Sequence, residues 1–184
     1  MVPKLMEIDQ SFAKEVQERS GQNLQLCYQC VKCSVGCPTA RYMDYNPNTL
    51  IRLIQYGQKG MVLNSHAIWL CVSCWTCGTR CPNEIDMGVI MDTLREMAIE
   101  NGFFSDRNIV MLHQEFILSI RQFGRIHEAT MLALYKLRSG DFTTDLGPAL
   151  QLFLRRKIPL LPSRIKGIDE IHKIFEKTYK PLGI

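Results

Sequence analysis

Eight cysteines stand in two runs, Cys27, Cys30, Cys33 and Cys37, then Cys71, Cys74, Cys77 and Cys81, with no cysteine elsewhere in the 184 residues. Both runs read C-x-x-C-x-x-C-x-x-x-C-P, closed by Pro38 and Pro82. Three thiolates spaced two residues apart can wrap one cubane cluster, each reaching a different iron, and the proline after the fourth turns the chain away. The chemistry this pattern points to is ligation of two [4Fe–4S] clusters and transfer of single electrons. Structural zinc is the competing reading. Zinc usually takes two ligand pairs, which leaves the third cysteine of each run redundant. A disulfide framework would need an oxidising compartment, to which nothing in the chain points.

In two-cluster ferredoxins the fourth cysteine of such a run ligates the other cluster. Carried over, Cys27, Cys30, Cys33 and Cys81 hold cluster 1, and Cys71, Cys74, Cys77 and Cys37 hold cluster 2. The crossing would tie distant segments together and make cluster loading part of folding. Val31, Val35, Trp69, Trp75 and Ile85 flank the cysteines and could exclude water, or could simply be core. Lys32 and Arg80 lie inside the runs and could raise a potential, though solvated side chains are the plainer expectation.

The elements that must position these runs read as helices, because apolar residues recur at three and four and no alternating strand pattern appears. Ile8, Phe12 and Val16 mark a first helix that Gly21 can close. Asn46 and Pro47 open a second through Leu50, Leu53 and Ile54, to be ended by Gly57 or Gly60. Ser65 can cap a short helix leading through Trp69 into Cys71. Met87, Ile90, Met91, Leu94 and Met97 form a stripe ending near Gly102, most simply core or a partner contact. Ser105 can cap a helix containing Val110, Phe116, Ile117 and Ile120, broken at Gly124. Another runs from about residue 126 to 138, with Gly140 as its stop. The fold class expected is all-α around two cysteine loops.

Residues 1–140 are expected to form the cluster-binding domain and residues 141–184 a C-terminal extension. Within the extension Gly147-Pro148 opens an apolar stretch ending in Arg155, Arg156 and Lys157. The segment Ile158–Pro162 should be irregular, because two prolines forbid a helix. Ile168, Ile171, Ile174 and Phe175 mark a last amphipathic helix. The extension reads as a docking arm or as a tail packed on its own domain.

Charge is uneven. Residues 1–120 carry 10 Lys+Arg against 12 Asp+Glu, and residues 121–184 carry 12 against 6, giving −2 and +6 of the total +4. Two oxidised clusters at about −2 each would bring the chain near neutral, so the basic excess does not require nucleic acid. No nucleic-acid motif, G-x-G-x-x-G, P-loop or C-x-x-C-H pattern is present. The histidines His66, His113, His127 and His172 are scattered. With no signal-peptide pattern and no run near the roughly 18 apolar residues of a membrane span, the chain reads as cytoplasmic.

Two such cysteine runs separated by a helical insertion resemble the alpha-helical ferredoxin module of succinate dehydrogenase, anaerobic glycerol-3-phosphate dehydrogenase, glycolate oxidase and heterodisulfide reductase. Length, Ser65–Cys71 (SHAIWLC) and Ile158–Phe175 (IPLLPSRIKGIDEIHKIF) resemble the family of heterodisulfide reductase C subunits. Only 26 residues, none cysteine, precede Cys27, unlike succinate dehydrogenase subunits with their preceding [2Fe–2S] domain. No Cys-Cys pair is present, unlike the glycolate oxidase and glycerol-3-phosphate dehydrogenase subunits. In heterodisulfide reductase the Cys-Cys-Gly part belongs to a separate chain, the B subunit.

The resemblance implies an electron-transfer subunit of an oxidoreductase complex, with no substrate-converting site of its own. It would carry single electrons from a flavin-containing, iron–sulfur, bifurcating A subunit to the B subunit. The latter reduces the mixed disulfide of coenzymes M and B in methanogenesis, fed by a hydrogenase or formate dehydrogenase. Similar subunits in sulfate reducers and acetogens leave the substrate open, and the alternative readings are the iron–sulfur subunit of another flavin- or quinone-linked dehydrogenase and a non-redox structural cluster protein.

Overall fold

The structure is a computed structural model that describes residues 8–142, 144, 146–155, 157, 159 and 161–179. It is all-helical among these residues, as the patterning predicts, and the chain divides into two compact units, Met1–Asp106 and Arg107–Ile184.

In the first unit, α1 (Phe12–Ser20), α3 (Pro47–Gln55), α4 (Lys59–Leu63), α5 (Ala67–Leu70) and α7 (Met87–Glu100) surround one core. Phe12, Val16, Leu24, Leu50, Ile54, Leu63, Ile68, Ile90, Leu94 and Met97 are fully buried there. Two one-turn helices, α2 (Lys32–Val35) and α6 (Thr76–Thr79), pack together and carry the cysteine runs. The stripe read from Met87 to Met97 is the buried face of α7.

Several boundaries differ from the sequence reading. Ile8 precedes α1 and is exposed. Gly57 ends α3 with φ +69°, and a Cβ there would lie 2.5 Å from the Asp9 carbonyl oxygen, so this stop requires glycine. Gly60 is no stop but lies inside α4. Ser65 does not directly precede α5, yet its Oγ accepts from the Ala67 N–H at 3.1 Å. Ser105 stands two residues before the helix that starts at Arg107, and its hydroxyl donates to the Ser65 carbonyl at 3.1 Å.

In the second unit, α8 (Arg107–Phe123) and α9 (Glu128–Ser139) form a helical hairpin. The start of α9 is capped by His127, whose Nδ1 accepts from the Thr130 N–H at 3.3 Å, a capping residue type the sequence reading did not anticipate. Gly140, at φ 71°, ends α9 as expected. Glu115, buried on α8, is paired with Arg138 of α9. The apolar stretch after Gly147 forms a helix, α10 (Leu146–Leu154), because Pro148 falls in its first turn, where the missing N–H costs nothing. α11 (Ile168–Thr178) packs on α8, and His172 Nε2 lies 3.0 Å from the Arg121 carbonyl oxygen. Arg156, Ile158 and Leu160, which belong to the sequence expectations for this region, lie outside the described residues.

Candidate functional site

The two cysteine runs repeat one backbone course. Gln29 and Val31 flank Cys30 at φ 61° and 66°, and Ser73 and Trp75 flank Cys74 at φ 50° and 60°. Left-handed backbone at a β-branched valine and a bulky tryptophan costs on the order of 1–3 kcal/mol each and clusters at binding sites. Val31 and Trp75 then lead into α2 and α6, each ending just before the fourth cysteine.

This course brings the cysteines into two quartets that cross between the runs. Cys27, Cys30, Cys33 and Cys81 line one cavity, walled by Ile51, Ile85 and Met87. Cys37, Cys71, Cys74 and Cys77 line the other, walled by Trp75, Met87 and Met91. Met87, 1% exposed, lines both. All eight cysteines are free thiols. Among the described residues, no group of three His, Cys, Asp or Glu is arranged to hold a lone metal ion. Four soft sulfur donors around an apolar-walled concavity fit a [4Fe–4S] cluster in each cage.

Polar groups reach the sulfurs. Gln29 Nε2 donates to Cys27 Sγ at 3.3 Å. The Thr39 hydroxyl lies 3.4 Å from Cys37 Sγ, and the Thr76 hydroxyl lies 3.4 Å from Cys74 Sγ. Hydrogen bonding to Thr76 holds the exposed Cys74 thiol below its ordinary pKa. Burial pushes Cys33 up, and it pushes Cys77 up to about 11. Metal binding must displace the protons of these free thiols.

Each loop is staked by a different device. In the first run, Gln29 Nε2 donates to the Asn48 carbonyl at 3.0 Å, and Asn48 Nδ2 donates to Gln29 Oε1 at 3.0 Å. Ser34 Oγ donates to Asn48 Oδ1 at 2.6 Å and accepts from the Asn48 N–H at 3.1 Å. In the second run the stake is Arg95 on α7, whose Nε donates to the Ile68 carbonyl at 2.7 Å. Its Nη1 donates to Ser73 Oγ at 3.1 Å, and its Nη2 donates to the Cys71 carbonyl. The runs are also tied across, since the Asp86 N–H donates to Gln22 Oε1 at 2.7 Å and Asn83 Nδ2 donates to the Leu26 carbonyl.

Of the residues expected to exclude water, Ile85 is a buried wall of the first cage, and Val31 and Trp75 line the cages while half exposed. Val35 is 82% exposed and stands beside Cys30 outside both linings, and Trp69 is buried core outside them too. Lys32 and Arg80 are exposed beside Cys30. Sequence reasoning passed over Met87 and Met91 as cage walls, and over Asn48 and Arg95 as stakes. The regular methionine spacing was visible; the two polar stakes carry no local pattern.

Residues 23–85, which contain both runs, match the family model of a 4Fe-4S dicluster domain. The iron-sulfur C subunit (second form) of the CoB--CoM heterodisulfide reductase of Methanocaldococcus jannaschii is 31% identical over 131 residues, covering 67% of this chain and 67% of that protein. The chain belongs to the family of heterodisulfide reductase C subunits. Other members align more fully. The C subunit of an H(2):CoB-CoM heterodisulfide,ferredoxin reductase of Methanothermobacter thermautotrophicus is 25% identical over 93% of this chain and 83% of its own length. The C2 subunit of an H(2)/formate:CoB-CoM heterodisulfide,ferredoxin reductase of Methanococcus maripaludis is 28% identical over 93% and 88%. Members of this family are iron–sulfur subunits of an oxidoreductase. Among the described residues, no helix is long and apolar enough to cross a membrane.

Proposed function

We propose that the chain relays single electrons through two [4Fe–4S] clusters, within a cytoplasmic complex, to a partner that reduces the coenzyme M–coenzyme B heterodisulfide. Cys27, Cys30, Cys33 and Cys81 hold the first cluster; Cys71, Cys74, Cys77 and Cys37 hold the second. The observation that carries this reading is the crossing of the two runs into two cysteine-ringed cavities with Met87 in both walls. A bound [4Fe–4S] cluster supplies reversible one-electron storage.

The protein's part is to fix, shield and tune. The left-handed residues on either side of Cys30 and Cys74 hold the loops open, so loading requires little rearrangement. Ile51, Ile85, Met87 and Met91 keep the inner faces dry, which strengthens every local charge. The Gln29 donor to Cys27, and the Thr39 and Thr76 hydroxyls, stabilise charge on sulfur and so favour the reduced state. The 14-residue α7 begins at Met87 in the shared wall, and the Asp86 carboxylate caps that end. Cys30 and Cys74 are the exposed member of each quartet and give the cages an outlet to partners.

In this reading the chain takes electrons from a flavin-containing A subunit and passes them to a Cys-Cys-Gly B subunit, with a hydrogenase or formate dehydrogenase upstream. Residues 141–184 serve as the docking arm; the exposed Leu150, Leu152, Phe153 and Leu154 of α10 support that role. Anaerobic purification of the tagged chain from its native cell tests the complex. Co-purification of a chain with Cys-Cys-Gly repeats and activity toward the heterodisulfide is expected. A partner lacking such repeats, with no disulfide reduction, would refute it.

A further inference from the structure

We propose that Arg95 is a tuning residue, holding the cage of Cys37, Cys71, Cys74 and Cys77 at a higher reduction potential than the fold would give it without that charge. The inference deepens the reading of one cluster per cage and rests on it. The two runs share their backbone course, so the stakes that hold them can be compared position by position. Ser73 stands where Gln29 stands. Gln29 is held by Asn48, a neutral amide, whereas Ser73 is held by a guanidinium. Arg95 is only 15% exposed in its side chain and donates to the Cys71 carbonyl, which places its charge against the first ligand of the second quartet.

A cluster gains one negative charge on reduction, so a fixed cation beside it favours the reduced form. The effect is largest where water is excluded. Four other charges bear on the comparison. Asp92 pairs with Arg95 Nη1 at 2.7 Å, but its own side chain is 51% exposed, so solvent weakens its opposition. Asp86 lies near Gly78 of α6, with one carboxylate oxygen accepting from the Gly88 N–H at 2.9 Å. Lys32 and Arg80 beside Cys30 are exposed and screened. Arg80 lays its guanidinium against Gly36, next to Cys37, but is solvent-exposed, whereas Arg95 is the one of these cations whose largely buried fork hydrogen-bonds the loop of Cys71 and Ser73. It therefore sets one cage independently of the other, which a relay needs if its two stations are to differ.

The test is a potentiometric titration of the anaerobic full chain, followed by electron paramagnetic resonance, for wild type, Arg95→Gln and Arg95→Lys. A Cys74→Ser variant marks which signal belongs to the second cage. Arg95→Gln is expected to lower the second cage's reduced-to-oxidised ratio at fixed potential about tenfold, or about 59 mV for one electron, and to leave the first cage unmoved. Arg95→Lys, which keeps the charge and loses the fork, should stay near wild type.

Unchanged potentials in a fully loaded Arg95→Gln protein would overturn the proposal. If that variant cannot hold the second cluster, Arg95→Lys decides: a loaded cage at wild-type potential supports tuning. A fallen potential, or loss of the cluster in both variants, overturns it in favour of a purely structural tie. Wild type without iron and sulfide would instead sink the cluster reading itself.

Discussion

Gly88 and Gly60 are each the second residue of a helix, α7 and α4, and both have ordinary helical backbone. Alanine at either site should gain about 0.5–1 kcal/mol from reduced backbone freedom in the unfolded chain. They differ in what a methyl would meet. Around Gly60 nothing lies within 4 Å, whereas at Gly88 a Cβ would stand 2.7, 2.9 and 3.0 Å from three ring atoms of Trp75. Carbon atoms rest about 3.5–4.0 Å apart, so the indole must retreat by roughly 1 Å. Overpacking of this kind costs about 1–3 kcal/mol.

Gly60→Ala should therefore stabilise the protein by about 0.5–1 kcal/mol, and Gly88→Ala should destabilise it by about 1–2 kcal/mol. At about 2–4 °C per kcal/mol for a chain of this size, the two variants should melt several degrees apart, on opposite sides of wild type. Trp75 walls the second cage from a strained left-handed position. Its retreat should also speed air bleaching of that cage's visible absorbance and broaden its paramagnetic signal, leaving the other cage alone. Anaerobic thermal unfolding by circular dichroism, with bleaching rates in air, measures both effects. Two alanine variants of equal stability with equal bleaching rates would refute the reasoning.

Cys37→Ala should abolish the signal of the cluster held by Cys71, Cys74 and Cys77, read by electron paramagnetic resonance after anaerobic reduction; loss of the other signal would refute the exchange of fourth ligands. Asp44 accepts from Ser65 Oγ at 2.7 Å and from the N–H groups of Ala67 and His66 at 2.9 and 3.0 Å, anchoring α5, which leads into Cys71. Burial alone would raise its pKa, but these bonds together hold the carboxyl below the usual range. Asp44→Asn should cost about 1–2 kcal/mol at pH 7, measured by denaturant unfolding. Because the folded-state pKa is depressed, that contribution is complete above the unfolded value near 3.9 and is lost as pH falls through the folded value. The gap between wild type and variant should thus hold from about pH 7 to 5 and close in stronger acid.

The helices of the core were legible because their signals are local: a four-residue apolar period in α1, Pro47 at the first position of α3, the stripe along α7. The cysteine quartets could be written down from spacing joined to the ligation habit of such runs. What stayed hidden depends on contacts between distant residues. Arg95 meets Ser73 across 22 positions and Asn48 meets Gln29 across 19, and neither pair follows any periodicity. Val35 lines neither cage, because α2 is a single turn that leaves it on the exposed face beside Cys30, which composition cannot show. The stretch after Gly147 was legible as apolar but not as a helix; Pro148 in the first turn of α10 is compatible with one.

Metal and sulfide analysis of the anaerobically prepared chain tests the central claim most directly. Two cubanes require about eight irons and eight inorganic sulfides per chain, with all eight thiols blocked to alkylation until the iron is removed. Stoichiometric zinc, or cystines in place of free or iron-bound thiols, would contradict the account.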